Sequence, residues 1–426
     1  MDTQHRTSPK LIHHWWVLCL LIPLFHFTTV LIYTPDENQS ALPDPPAQAH
    51  WFVDSWRMPG PGIDFFSFYQ AGLEYYRGES IYKPLRPDAE APYFYPYRYL
   101  PPLAAVSGAT LGWLSPWNAY RIWLGLIMLS FFASLYMVHR LLAGNPLRSF
   151  VLAAWSLNPL LFLELWIGQV NLITATALLA AAYWGKQKRI HAALGAWSAA
   201  VLLKVYPLII GIVFVRKHLL KPLGITLLLL VVAVLLSFVA AGQSMGEFWG
   251  RNFNSVITAN FHSGNQGFAM LLFYGLRHAF SMDTCIVLLR LWQVLLIGGA
   301  AAVIWYRKPP ISIGVMVMAV TYLLSYHNVW SHHFLLLLPA ASVFLAEAWS
   351  RGHKVPIILA GLALATLLHP GLFSLFNEVA YLDFYPGRGW TSPQQLAFRL
   401  VRLVPLICAA ISGTMLLFDR RQRSAS

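Results

Sequence analysis

Apolar runs long enough to cross a bilayer, about 20 residues each, recur along almost the whole sequence, separated by short basic or polar breaks. That recurrence leaves few architectures open, because in hydrocarbon every backbone N–H and C=O must find its partner within the protein. With 57% hydrophobic and 11% charged residues, against about 25% charged in ordinary domains, a soluble core is excluded. The chain is expected to be an all-α polytopic membrane protein. A formal net charge of +13 would suit nucleic-acid binding in a soluble chain. Here the Lys and Arg residues fall mostly in short loops between apolar runs, where they orient helices, so no nucleic-acid partner is expected. Cys19, Cys285 and Cys408 all lie inside apolar runs and imply neither a disulfide nor a metal framework.

The run from Leu11 to Tyr33 is too long for a signal-peptide core and no small-residue cleavage site follows it, so it is expected to stay as the first helix. Further spans are expected over 119–140, 149–166, 169–184, 189–203, 205–215, 221–241, 284–306, 310–326, 333–349, 355–375 and 396–418. Loop charge sorts them. Arg140 with Arg148, Lys186 with Lys188 and Arg189, Arg216 with Lys217 and Lys221, Arg307 with Lys308, Arg351 with Lys354, and the Arg420 to Arg423 tail alternate with loops poor in Lys and Arg. All of these are expected to be cytoplasmic. The parity requires an incomplete hairpin over 189–215 and an apolar stretch at 100–114 that lies along or dips into the membrane, which is tolerated where backbone is buried in protein. About twelve membrane helices follow, in a single domain over 1–426, with 34–116 a long first outer loop holding juxtamembrane or re-entrant helices. No soluble domain and no convincing internal repeat is present.

The non-cytoplasmic face then collects the unusual polar segments: 34–116, WIGQVN at 166–171, LLKVYPL at 202–208, Gly242 to Asp283, SYHNVWSHH at 325–333 and Asn377 to Gln395. GIDFFSFYQAG at 62–72, the GESIY turn at 78–82, YFYPYRYLPPL at 93–103, Gly168-Gln169-Val170-Asn171, Lys204-Val205-Tyr206-Pro207 and Trp330-Ser331-His332-His333 together resemble glycosyltransferase family 87. Each piece is weak alone; their order and spacing cover most of the chain. The family has a GT-C fold and includes a mycobacterial mannosyltransferase that uses polyprenyl-phosphomannose. The resemblance implies transfer of a sugar, with mannose the first expectation, from a polyprenyl-phosphate donor to a lipid or glycan acceptor. It places the work on the outer face of a bacterial inner membrane, in contact with membrane lipids and without a cofactor.

Displacing a polyprenyl phosphate from an anomeric carbon needs a base on the acceptor hydroxyl, cationic or hydrogen-bonding groups on the departing phosphate, and a groove for the lipid. Asp64, set among Phe65, Phe66, Phe68 and Tyr69, has a reason to be basic and matches the family's early outer-loop acid. Its plain alternative is a helix N-cap. Lys204 reads either as a point charge for the donor phosphate or as a snorkelling lysine at a helix end. His332 and His333 are candidates for the phosphate or sugar; adjacent histidines point different ways on a helix and lack a nearby carboxylate, so a metal is not expected. Arg98 faces phosphate or anchors an interfacial helix. Gln169 and Asn171 suit sugar hydroxyls or interhelical hydrogen bonds. Tyr69 and His327 are weaker candidates for acceptor or sugar. Glu164, rare in an apolar span, is a second acid or a paired structural charge, and Glu247, Arg251 and His262 have open roles. A transporter or flippase for a lipid-linked sugar would also need buried polar groups and an amphiphile groove, and a noncatalytic scaffold fits the charged outer segments poorly.

The alternation of basic loops yields a first test. Single cysteines at positions 64 and 332 are expected to react with an impermeant reagent from one side of the membrane, and a cysteine at 187 only from the other. Labelling of 64 and 187 from the same side overturns the topology.

Overall fold

The computed structural model describes residues 10–36, 46, 60–82, 89–240, 242–250, 252, 267–276, 279–367 and 393–419, and among them every regular element is a helix. In chain order these are α1 (Lys10–Ile32), α2 (Ile63–Tyr76), α3 (Pro101–Leu111), α4 (Pro116–Leu141), α5 (Arg148–Ser156), α6 (Leu160–Ile167), α7 (Asn171–Lys186) and α8 (Ile190–Leu203). A 3-10 helix (Tyr206–Phe214), α9 (Leu220–Ala240), α10 (Met245–Trp249), α11 (Phe268–Leu276), α12 (Met282–Arg307) and α13 (Ile311–Ser325) come next. A second 3-10 helix (Ser331–Leu336) runs into α14 (Leu337–Ser350), followed by α15 (Lys354–Thr366) and α16 (Pro393–Leu417). Six stretches are long and apolar enough to cross a membrane: 116–141, 148–167, 217–240, 282–307, 331–350 and 400–417. Four shorter apolar helices, 20–32, 190–203, 311–325 and 354–366, stand beside them.

The breaks have local causes. The expected span 149–166 is two helices, because Pro159 has no N–H to continue the ladder and the Asn158 side chain instead accepts the Leu160 N–H at 2.9 Å. Gly168 ends α6 with φ of 69°, a left-handed turn that glycine adopts freely. Over 189–215 the chain forms a short hairpin: α8 runs to Lys204, which is extended, and the return limb is the 3-10 helix rather than an α-helix. Trp197 of α8 closes the hairpin by donating its indole N–H to the Pro207 carbonyl at 2.7 Å.

The core is built around α7, which packs on α4, α8, α13 and α14, with Trp155, Trp166 and Trp197 fully buried within it. By contrast α9 and α12 expose most of their apolar surface, as lipid-facing helices do. The basic loops meet at one end of the bundle. Lys186 pairs with Glu347 at 3.0 Å, Arg351 with Glu347 and Asp419 at 3.3 and 3.4 Å, and His353 with Asp419 at 2.9 Å, while Arg216 donates to the Pro309 carbonyl. The N-termini of α7 and of the 331–350 stretch lie at the opposite end, roughly 24 Å away for the 16 residues of α7 at about 1.5 Å per residue.

At that opposite end α2 and α3 lie within the 34–116 segment and cross at two glycines. A Cβ on Gly72 would stand 2.5 Å from the backbone nitrogen of Gly108, and one on Gly108 would stand 2.4 Å from the Gly72 carbonyl oxygen. The turn after α2 is strapped to the α9–α10 corner, where Gln243 accepts the Ile81 N–H at 2.9 Å and donates to the Glu79 carbonyl at 2.7 Å. Cys285 and Cys408 are free and buried; the Cys19 side chain lies outside the described residues.

Gly72→Ala and Gly108→Ala are each expected to destabilise the protein by about 1–3 kcal/mol, the usual effect of overpacking. A fall in melting temperature in detergent reads this out. Gly125→Ala and Gly224→Ala, where nothing lies near the new methyl and Ala is the better helix former, should not lower the melting temperature. Equal behaviour of the two pairs overturns the close crossing.

Candidate active site

Backbone pairing places Asp64. Gly62, the residue before α2, donates its N–H to the Trp166 carbonyl at 2.7 Å, and Phe65 packs so closely on Gly168 that a Cβ there would lie 2.6 Å from the Phe65 Cβ. Asp64 is thereby held over the Gly168–Gln169 turn, in the first turn of α2. It is not the N-cap: that position belongs to Gly62, which makes no side-chain capping bond. Gln169 Nε2 donates to Asp64 Oδ2 at 3.1 Å, and Gln169 Oε1 accepts from the Tyr99 hydroxyl at 2.7 Å and from the Val170 N–H at 2.9 Å. The amide therefore presents its N–H side to the carboxylate with its other end fixed. Burial pushes the Asp64 carboxyl up to about 6, against the pull of Lys204, the Gln169 hydrogen bond and Arg98, which favour the ionised form.

Lys204 leaves α8 at the hairpin break and donates from Nζ to Asn171 Oδ1 at 2.6 Å, with Nζ 5.9 Å from the centre of the Tyr99 ring. It is within electrostatic reach of both Asp64 and Glu164, so it is not a lysine snorkelling to open water. Asn171 and Glu164 are both 0% exposed. Glu164 Oε1 accepts the Leu172 N–H at 2.7 Å, capping the first turn of α7.

The 3-10 helix at 331–336 adds the histidine pair, with rings 4.5 Å apart and the charge of Lys204 within reach of both. His333 Nδ1 accepts the Trp330 N–H at 3.1 Å, so one of its nitrogens shapes the turn. A tyrosine ladder joins this segment to the hairpin: Tyr206 stacks on Tyr322 at 3.8 Å, Tyr322 on Tyr326 at 5.0 Å, and Tyr326 lies 6.4 Å from His333. Arg98 is exposed and acts electrostatically on Asp64 and Tyr326.

The structure thus gathers Asp64, Arg98, Gln169, Asn171, Lys204, His332 and His333 from five separate segments. Tyr69 is not brought there: it is buried and donates its hydroxyl to the Leu114 carbonyl at 2.6 Å, serving packing. His327 flanks the ladder, its ring 4.9 Å from that of Tyr326, while its Nδ1 meets Gln293 Nε2 on α12 at 3.1 Å. Glu247 accepts from Ser80 Oγ at 2.7 Å and belongs to the strap, while Arg251 and His262 lie outside the described residues. Tyr99, Tyr206, Tyr322 and Tyr326 were not anticipated. The signal for the first two was their place beside Arg98 and Lys204; interfacial tyrosines are common enough to hide it. Among the described residues no group of three His, Cys, Asp or Glu side chains converges to hold a metal ion.

The sequence model of glycosyltransferase family 87 matches residues 97–326, more than half of the chain. No curated protein matches it.

The Asp64–Gln169 bond has a titration consequence. A hydrogen bond to the charged form favours that form, so Gln169→Met is expected to raise the Asp64 value further, moving the acid limb of the pH–rate profile upward by roughly one unit. An unmoved limb in a folded variant separates Gln169 from the titrating group.

Proposed function

The chain belongs to glycosyltransferase family 87, and from that premise we propose that it transfers a sugar from a polyprenyl-phosphate donor to a hydroxyl of a lipid or glycan acceptor, with Asp64 as the general base. The observation that carries the reading is a partly buried carboxylate, hydrogen-bonded to Gln169 and raised to about 6, with a half-buried lysine from another element within electrostatic reach of it. One group takes a proton and the other meets an anion, as the displacement requires.

In the proposed step the acceptor oxygen attacks the anomeric carbon from the face opposite the phosphate. Its proton passes to the Asp64 carboxylate as the new C–O bond forms. The bond from the anomeric carbon to the phosphate oxygen breaks, and its electron pair stays on polyprenyl phosphate, which leaves ionised and needs no separate acid. Lys204 stabilises that charge, with the exposed Arg98 adding to it and His332 or His333 contributing hydrogen bonds. Gln169 orients the base. A single displacement inverts the anomeric centre. Mannose is the sugar the sequence resemblance favours, within a GT-C-like bundle of about twelve helices. The positive-inside rule favours the basic end of the bundle in the cytoplasm and this site on the opposite face, which the family resemblance suggests is the outer face of a bacterial inner membrane. A flippase for a lipid-linked sugar would make no new glycosidic bond, so turnover with polyprenyl-phosphate mannose, arabinose and glucose in separate reactions, read by mass spectrometry with membrane lipid extract as acceptor, distinguishes it and identifies the sugar.

Asp64→Asn keeps the shape but removes the basic carboxylate. Transfer is expected to fall by roughly 100- to 10,000-fold with insertion and donor binding retained. In the unmutated protein the base is protonated below about 6, so the rate should fall as pH drops through that value, and the residual rate of Asp64→Asn should lack this limb. Transfer within a few-fold of wild type at saturation of both substrates removes Asp64 as the base.

A further inference from the structure

Glu164 is not used by the displacement itself, yet it sits behind it. It is 0% exposed within a stretch apolar enough to cross a membrane, where a carboxylate is costly and marks a function or a paired charge. Capping α7 occupies only Oε1; Oε2 has no hydrogen-bond partner among the described residues. A neutral Gln could present an oxygen to the same Leu172 N–H, so capping alone does not account for an ionisable group here. Asn171 stands between the two charges. Its Oδ1 accepts from Lys204 at 2.6 Å and its side-chain amide faces Glu164.

We propose that Glu164 is a positioning residue that keeps Lys204 protonated and, through Asn171, aimed at the departing phosphate. The inference rests on the reading of Lys204 as the phosphate ligand. The groups facing Lys204 from the elements around it are Asp64 on α2, Glu164 on α6, His332 and His333 on the 331–336 helix, and the Tyr99 ring; Tyr99 and Tyr206 also face Glu164. Only the two carboxylates can carry the opposite charge, and Lys204 favours the ionised form of each. Asp64 cannot serve throughout, because as the base it takes up the acceptor proton and becomes neutral while the phosphate is leaving. Glu164 touches no reacting atom, so its charge is unchanged at that moment. A withdrawn ammonium without a counter-charge tends to lose its proton, and the lysine would then fail when the phosphate needs it.

The test uses the full-length protein in detergent with polyprenyl-phosphate mannose as donor. Glu164→Gln keeps an oxygen for the Leu172 N–H, so its melting temperature should match wild type. The donor KM is expected to rise about tenfold with the acceptor KM unchanged. The alkaline limb of kcat/KM should move acidward by roughly one unit, the lower range for loss of one nearby opposite charge. Adding Lys204→Arg, whose guanidinium does not deprotonate, should abolish that limb. Wild-type donor KM and an unmoved limb in folded Glu164→Gln reduce Glu164 to a helix cap and overturn the proposal. Unchanged donor KM in Lys204→Met overturns the phosphate reading beneath it, whatever Glu164 does. If Glu164→Gln does not fold, Glu164→Asp keeps the charge while weakening the cap: a lower melting temperature with the wild-type limb supports the proposal, and a shifted limb contradicts it.

Discussion

A helix that stops inside a membrane protein leaves carbonyls with no water to satisfy them, and the end of α6 is such a place. The Leu165 and Trp166 carbonyls accept from the Tyr120 hydroxyl at 2.6 and 3.1 Å, Trp166 accepts also from the Gly62 N–H at 2.7 Å, and the Gly168 carbonyl accepts from the Trp123 indole at 2.9 Å. The donors come from α4 and from the residue that opens α2. Satisfying the break therefore fixes the first turn of α2 above the Gly168–Gln169 turn. Asp64 follows Gly62 by two residues and Gln169 follows Gly168 by one, so their hydrogen bond is a consequence of backbone pairing elsewhere.

The second break works in the same way. The extended Lys204 interrupts α8, and the return limb is brought so close that a Cβ on Gly211 would lie 2.7 Å from the Trp197 ring. A full α-helical return over the same residues would be shorter, since a 3-10 helix rises about 2.0 Å per residue against 1.5 Å. The tighter helix lets nine residues run from the site level back to Arg216 at the basic end. Polar side chains thus sit where the backbone is already broken, and their burial is offset by hydrogen bonds between breaks, as in Lys204 with Asn171.

Much of this was legible in the sequence where one residue carries a strong physical penalty. Asp64, Lys204 and Glu164 are conspicuous in apolar surroundings, and the basic loops mark one end of the bundle by charge alone. The hairpin at 189–215 followed from charge parity alone. Other features were hidden because their cause is tertiary. Nothing local tells that Tyr69 turns its hydroxyl to the Leu114 carbonyl while Tyr99 turns its own to Gln169, since both are tyrosines in aromatic stretches. The Tyr206–Tyr322–Tyr326 ladder joins residues more than a hundred positions apart, and only folding puts them in register. The division of 149–166 into two helices was available from Asn158-Pro159 and was obscured by hydrophobicity that continues across it.

Helix polarity adds the last constraint. At the site end stand the N-termini of α2, of α7 and of the 331–350 stretch, which contribute Asp64, Asn171 and the histidine pair. Helix N-termini carry partial positive charge and favour anions, so the fold itself adds positive potential where Lys204 and Arg98 already act. The same helices deliver their C-termini to the other end, where Lys186 occupies the last turn of α7 and Arg351 follows α14, cations being favoured at that pole. One choice of chain direction for α7 and α14 thus serves both ends. Reversing either helix would set a negative pole against the proposed anionic phosphate and a positive pole against the basic loops. Topology and site electrostatics are in this sense a single constraint.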